Sequence, residues 1–132
     1  MKRNMFALVV HKRAEPCQAL KPVLRCLGVD TFSVGSCAEA AHLIEQTHPH
    51  FIFTDTQLPD GTWIDVVNLA EDAMVPICAI LVGPSKNPEL LQAAVNYGAF
   101  DFIFPPFDSE AVSQLLNRAM VLVRARRSRA VA

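Results

Sequence analysis

The stretch Phe51-Ile-Phe-Thr-Asp-Thr-Gln-Leu-Pro-Asp-Gly-Thr-Trp63 carries an apolar run that stops at one carboxylate, Asp55, and passes at once into a Leu-Pro-Asp-Gly loop. A short apolar run bounded by turn residues is the pattern of a strand buried on both faces, as in a parallel sheet. Open sheets of this kind bind ligands outside the carboxyl ends of their strands. Asp55, delivered to such an end, is the first candidate for a reactive group.

Outward from this stretch, strand-like runs alternate with helical patterns. Strands are expected at Met5–Val10, Asp30–Val34, Phe51–Thr54, Ile77–Val82 and Phe100–Phe104, and helices at about 15–27, 37–47, 62–72, 88–97 and 108–126. Five β-then-α units imply an α/β fold, a five-stranded parallel sheet covered by helices on both faces. Right-handed crossovers favour the doubly wound order 2-1-3-4-5. Local signals agree: Ser36 with Glu39 reads as a capping box, Asp108 as an N-cap, and Gly28 and Gly98 as the left-handed residues that end helices. Pro22 fits poorly inside the first helix and predicts a kink or a late start.

The chain has 132 residues, 52% hydrophobic and 19% charged, with a formal net charge of −1. That fits one domain, residues 1–126, followed by a basic tail at 127–132. The charge gives no global argument for nucleic-acid or membrane binding. Apolar runs fall far short of the roughly 20 residues of a membrane span, and no signal-peptide core is visible, so a cytoplasmic location is expected. Cys17, Cys26, Cys37 and Cys78 lie far apart without a Cys-x-x-Cys pair and read as reduced core or boundary residues. No metal-ligand cluster, nucleophile elbow, zinc-helix motif or phosphate-cradling glycine loop is present in the sequence.

The strand ends where a ligand would sit read His11-Lys12, Asp55, Gly83-Pro84-Ser85 and Pro105-Pro106. From Leu8-Val9-Val10, through Asp55-Thr-Gln-Leu-Pro-Asp-Gly61, to Gly98-Ala-Phe-Asp-Phe-Ile-Phe-Pro-Pro-Phe107, the chain resembles the response regulator receiver domains of two-component signalling, with their flavodoxin-like fold. The resemblance implies that Asp55 stands at the phosphoacceptor position and Phe102 at the switch aromatic. It also implies an acidic pair that holds magnesium at the positions of His11 and Lys12, a hydroxyl after the fourth strand and a lysine at the position of Pro105. Only the aspartate matches. The hydroxyl position falls on Gly83 counting back from Pro105 and on Ser85 counting forward from Asp55; the strand Ile80-Leu81-Val82 ends more naturally at Gly83, which favours a lost hydroxyl.

Phosphoryl transfer asks a protein mainly to position the group and neutralise its charge. Magnesium wants near-octahedral oxygen coordination, and a histidine beside a lysine does not supply it. No cofactor is therefore expected, magnesium binding is expected to be lost or weak, and Asp55 is expected to be a poor phosphoacceptor. Two readings of Lys12 stand open. Its ammonium either pairs with Asp55 as a built-in replacement for the metal or points to solvent beside a decayed site. His11 reads as a strand-end histidine, and His48-Pro49-His50 as a loop at the opposite sheet end. Trp63 is expected to pack in the core or at the rim, over Asp55 or on the first helix. Arginines 118, 124, 126, 127 and 129 read as a solvated helix end and tail, or as a linker.

The function these readings support is non-enzymatic: an atypical receiver acting as a phosphorylation-independent interaction module. Expected partners are a sensor histidine kinase or another signalling protein. The resemblance further implies a homodimer through the fourth helix, fifth strand and fifth helix, with a face around Leu91, Val95, Phe102, Phe104, Val112, Leu116 and Met120. The alternatives are a working phosphoacceptor at Asp55 and the regulatory domain of a DNA-binding transcription regulator.

Overall fold

The computed structural model describes residues 5–131. Residues 1–4 and Ala132, which the sequence reading assigned to the domain and the tail, lie outside the described residues. Five parallel strands form the main sheet: β1 (Met5–Val10), β2 (Val29–Val34), β3 (Phe51–Thr54), β4 (Cys78–Val82) and β5 (Asp101–Ile103). Their spatial order is 2-1-3-4-5, all pairings parallel. Five helices connect them: α1 (Cys17–Cys26), α2 (Cys37–Thr47), α3 (Trp63–Asp72), α4 (Pro88–Tyr97) and α5 (Ser109–Val131).

Burial follows position in the sheet. The central strands β3 (FIFT) and β4 (CAILV) are buried throughout, because helices cover both faces. Edge strand β2 (VDTFSV) is buried only at its two ends and tolerates Asp, Thr and Ser between them. The pleat divides the core in two. Ala7, Val9, Phe51, Phe53 and Ile80 face Leu20 and Leu24 of α1 and Leu115, Leu116 and Ala119 of α5. Leu8, Val10, Ile52 and Leu81 face Ala40 and Ile44 of α2, Val66 and Val67 of α3, and Ala94 of α4.

The helix ends show how local chemistry sets the boundaries. Ser36 accepts from the Glu39 amide, while the Glu39 carboxylate reaches back to the Gly35 amide, one residue further than a standard capping box. Thr62 and Asp65 complete a full capping box on α3, Asn87 caps α4, and Asp108 accepts from the Ala111 amide at the start of α5. Gly28 (φ 84°) and Gly98 (φ 95°) adopt the left-handed conformation after α1 and α4. Helix α1 starts late, at Cys17, with Pro16 at its cap and Pro22 inside it on the exposed side, so the missing amide costs a bond that water can replace.

Three expectations are corrected. The loop after β3 is an antiparallel ribbon, Gln57–Leu58 against Gly61–Thr62, with Pro59 and Asp60 at its turn. Strand β5 is shorter than expected, three residues. The segment from 127 continues α5 to Val131 rather than forming a separate tail; Arg118, Arg124, Arg126 and Arg129 are exposed as expected, whereas the Arg127 guanidinium donates to the carbonyls of Pro76, His48 and Pro49 at 2.7 to 3.2 Å. Unsatisfied carbonyls in the loops before β3 and β4 attract a charged donor that the α5 register brings within reach.

Candidate functional site at the carboxyl edge of the sheet

Asp55 follows β3 directly, and its amide donates to Val10 O at 2.9 Å, which extends the β1–β3 pairing by one step. Its side chain is wholly buried. Burying a carboxylate without partners is costly, so its oxygens must be engaged. Oδ1 accepts from the Thr56 amide at 2.7 Å and from Arg13 Nη2 at 2.8 Å; Oδ2 accepts from Arg13 Nε at 3.1 Å. Arg13 Nη2 also donates to Thr56 Oγ1 at 3.1 Å. This is the two-point geometry that makes arginine the strongest partner for a carboxylate. The hydrogen bonds to Asp55, reinforced by its charge, push the guanidinium pKa further above its ordinary value.

The ion pair expected at Lys12 thus forms at Arg13 instead. After β1 the His11 amide still donates to Val34 O, drawing the chain toward β2. Lys12 is exposed beside Gly35, while the bend that follows turns Arg13 back over the end of β3. The His11 ring contributes to that bend: its Nδ1 lies 2.7 Å from Arg13 O and donates to it. His11 therefore shapes the loop rather than touching Asp55. Sequence reading weighed one of two adjacent cations; only the path of the loop chooses between them.

Gly83 follows β4 at once and is buried, its amide bonded to Ile103 O at 2.9 Å, whereas Ser85 is exposed two residues further on. Pro105 borders a cleft of about 260 Å³ together with Arg13, Glu15, Pro16, Ala19 and Pro84. Phe102 is buried. A larger cleft, about 560 Å³, lies at the opposite edge among Glu71, Pro76, Gly98 and Arg126, away from Asp55, and has no connection to the chemistry of that edge.

Trp63 is buried on the α2–α3–α4 side of the sheet and meets Tyr97 of α4 edge-on, with centroids 5.8 Å apart, so neither a place over Asp55 nor contact with α1 holds. Asp60, unremarked in the sequence, accepts from the Cys37 and Ala38 amides at 2.8 and 3.0 Å and ties the ribbon to the start of α2. Those bonds hold its carboxyl below the usual range. Its signal was the Pro-Asp-Gly turn, but the acceptor role depends on α2 lying alongside.

The residues present do not fit magnesium. Among the described residues no three His, Cys, Asp or Glu side chains are grouped to hold a metal ion, and both Asp55 oxygens are taken by a guanidinium.

This fold and this edge define a class. The family model for the response regulator receiver domain matches residues 7–117, and the chain belongs to that family, whose domains serve two-component signal transduction. It is 31% identical over 84 residues to the transcriptional regulatory protein DpiA of Escherichia coli, a match spanning 64% of this chain and 37% of that protein. To the response regulator protein PilR of Pseudomonas aeruginosa it is 28% identical over 118 residues, 88% of this chain and 26% of PilR. The chain therefore spans about a third or less of these relatives. Among solved structures, a putative response regulator from Chloroflexus aurantiacus superposes with a TM-score of 0.81 at 17% identity, covering 90% of this chain and 99% of that one. NtrX from Brucella abortus, in complex with ATP, gives 0.80 at 20% identity over 96% of this chain and 28% of its own. At these identities the likeness is one of fold.

Proposed function

We propose that this receiver domain works as a phosphorylation-independent interaction module in two-component signalling, without enzymatic activity of its own. The observation that carries the reading is the two-point Arg13–Asp55 pair. A phosphoacceptor must offer a free oxygen for in-line attack, then have charge on the transferred group neutralised by cations arranged around it. Here the nucleophile is buried, both oxygens accept from a guanidinium, and Pro105 supplies no cation. Arg13 stabilises the unmodified carboxylate, the ground state, which raises the barrier to attack.

Partners on this reading are a sensor histidine kinase or another signalling protein, met in the cytoplasm. The apolar residues available for contact are Leu91, Val95 and Phe104, which are exposed; Phe102, Val112, Leu116 and Met120 of the expected face belong to the core. Among the described residues no helix is long and apolar enough to cross a membrane. A second reading, the regulatory domain of a longer DNA-binding regulator, is favoured by the small share of DpiA that the chain covers.

The test is intact-mass spectrometry after incubation with magnesium and acetyl phosphate, beside an Asp55→Asn control. No adduct is expected. A phosphate adduct that the control lacks returns the domain to the phosphoacceptor class.

A further inference from the structure

Gly83 is tight against an aromatic ring. A Cβ built on it would lie 2.4 Å from Phe102 Cε1 and 2.7 Å from Cζ, closer than real side-chain atoms approach, with Leu90 Cδ2 at 3.7 Å. The Phe102 ring thus fills the volume that any side chain at position 83 would need. Its burial is nearly complete, 6% exposed. Strand register explains the meeting: β4 and β5 pair Leu81 with Phe102 and Val82 with Ile103, and the Gly83 amide extends the pairing by donating to Ile103 O.

We infer that Gly83 and Phe102 are an interdependent pair that fixes this ring in one buried position, so the α4–β5 face is presented in a single arrangement whatever happens at Asp55. The inference deepens the interaction-module reading and rests on it for its biological meaning; its geometry stands apart from it. Moving the ring outward would expose a phenyl group and leave an apolar void beside Gly83 and Leu90, two unfavourable changes with nothing to offset them. Moving it inward past any side chain at 83 is sterically barred. The residue at 83 therefore decides where Phe102 sits, and glycine leaves one answer.

The consequence reaches the surface. Phe104, two residues on and just past the end of β5, has its ring centroid 5.7 Å from that of Phe102 and is partly exposed. Leu91 and Val95 on α4 are exposed next to Leu90, which packs against the same core cluster as Phe102. With the inner ring fixed, Phe104 and this turn of α4 keep one arrangement for a protein partner. A ligand or modification shifts a conformational equilibrium only when two states are available to it, and the Gly83–Phe102 contact removes the second.

Nuclear magnetic resonance on the full chain tests this. One Gly83 α-proton points at the Phe102 ring, so its signal is expected to be displaced by the ring current from the usual glycine position, and Phe102→Leu is expected to abolish the displacement. Adding magnesium with beryllofluoride, a phosphoryl mimic, is expected to leave that signal unchanged. Gly83→Ser is expected to drive the ring out, moving the signals of Leu90, Leu91, Val95 and Phe104. If Gly83→Ser does not fold, Gly83→Ser/Phe102→Leu is expected to restore folding by removing the clash; failure of the double variant overturns the inference. Millisecond exchange of the Phe102 ring in the wild type, or Gly83→Ser with the ring still buried, also overturns it. An acetyl phosphate adduct with unmoved Gly83 signals would instead sink the interaction-module reading and leave the fixed ring standing.

Discussion

Arg13 holds Asp55 through two parallel hydrogen bonds, Nη2 to Oδ1 at 2.8 Å and Nε to Oδ2 at 3.1 Å, with the carboxylate wholly buried and the guanidinium more than half exposed. The asymmetry matters. Asp55 depends on Arg13 for compensation, whereas Arg13 keeps access to water.

Arg13→Ala leaves a buried carboxylate whose remaining donors are the Thr56 amide at 2.7 Å and, at 3.5 Å, the Thr56 hydroxyl, both on Oδ1. Loss of charge-assisted bonds to a buried group costs about 1–3 kcal/mol, and the exposed side of the pair, open to water, places the cost near the lower end. Asp55→Asn in the same background should recover part of it, because the amide needs no counter-charge. Urea unfolding of the two single variants and the double variant gives the coupling directly. Additive effects would mean that the pair contributes nothing to stability.

Arg127 ties the end of α5 to the loops before β3 and β4 through three carbonyl oxygens. Arg127→Ala should destabilise the domain by about 1–3 kcal/mol and speed amide exchange at the start of β3 and β4. Arg127→Lys should not rescue it, since an ammonium does not span the three acceptors that the planar guanidinium reaches. Unchanged exchange in Arg127→Ala would show that the clasp is idle.

His50 accepts the Phe6 amide at Nδ1, 3.1 Å away, which requires that nitrogen to be unprotonated. Burial, and then the Arg127 charge, lower its pKa from the usual value. The unfolded chain then binds a proton that the folded one refuses, so stability is fully present above about pH 6.5 and falls as the pH drops from there toward the folded pKa. Urea midpoints measured from pH 7.5 to 5 should show that slope, and His50→Gln should flatten it.

Burial pushes the Cys17 thiol up to about 12 and Cys78 to about 11; Cys37 is raised to about 11 by burial and then by Asp60. The thiolate is the reactive form. A disulfide reagent at pH 8 should modify the exposed Cys26 quickly, the half-buried Cys37 more slowly, and the buried Cys17 and Cys78 only on unfolding. Rapid modification of Cys17 would mean that α1 opens readily from the sheet.

The pattern of apolar runs and helix signals was enough to place all five strands and five helices, because a doubly covered parallel sheet imposes its burial directly on sequence. Met5–Val10 and Phe51–Thr54 match residue for residue. The boundaries of β5 and α5 were less legible. Strand β5 ends where pairing with β4 ends, and Arg127 near the end of α5 meets acceptors on two distant loops, neither of which is a local property.

By itself the sequence determined the sheet, its order, and Asp55 as the lone carboxylate delivered by β3, since periodicity and strand-end position are properties of consecutive residues. Only the tertiary structure decided that Arg13, rather than Lys12, pairs with Asp55, that Asp60 serves α2, and that Phe102 occupies the space left open at Gly83. Each of those joins residues separated by about twenty positions or more, and which side chain meets which depends on loop paths and strand register that the chain adopts only once its core has closed.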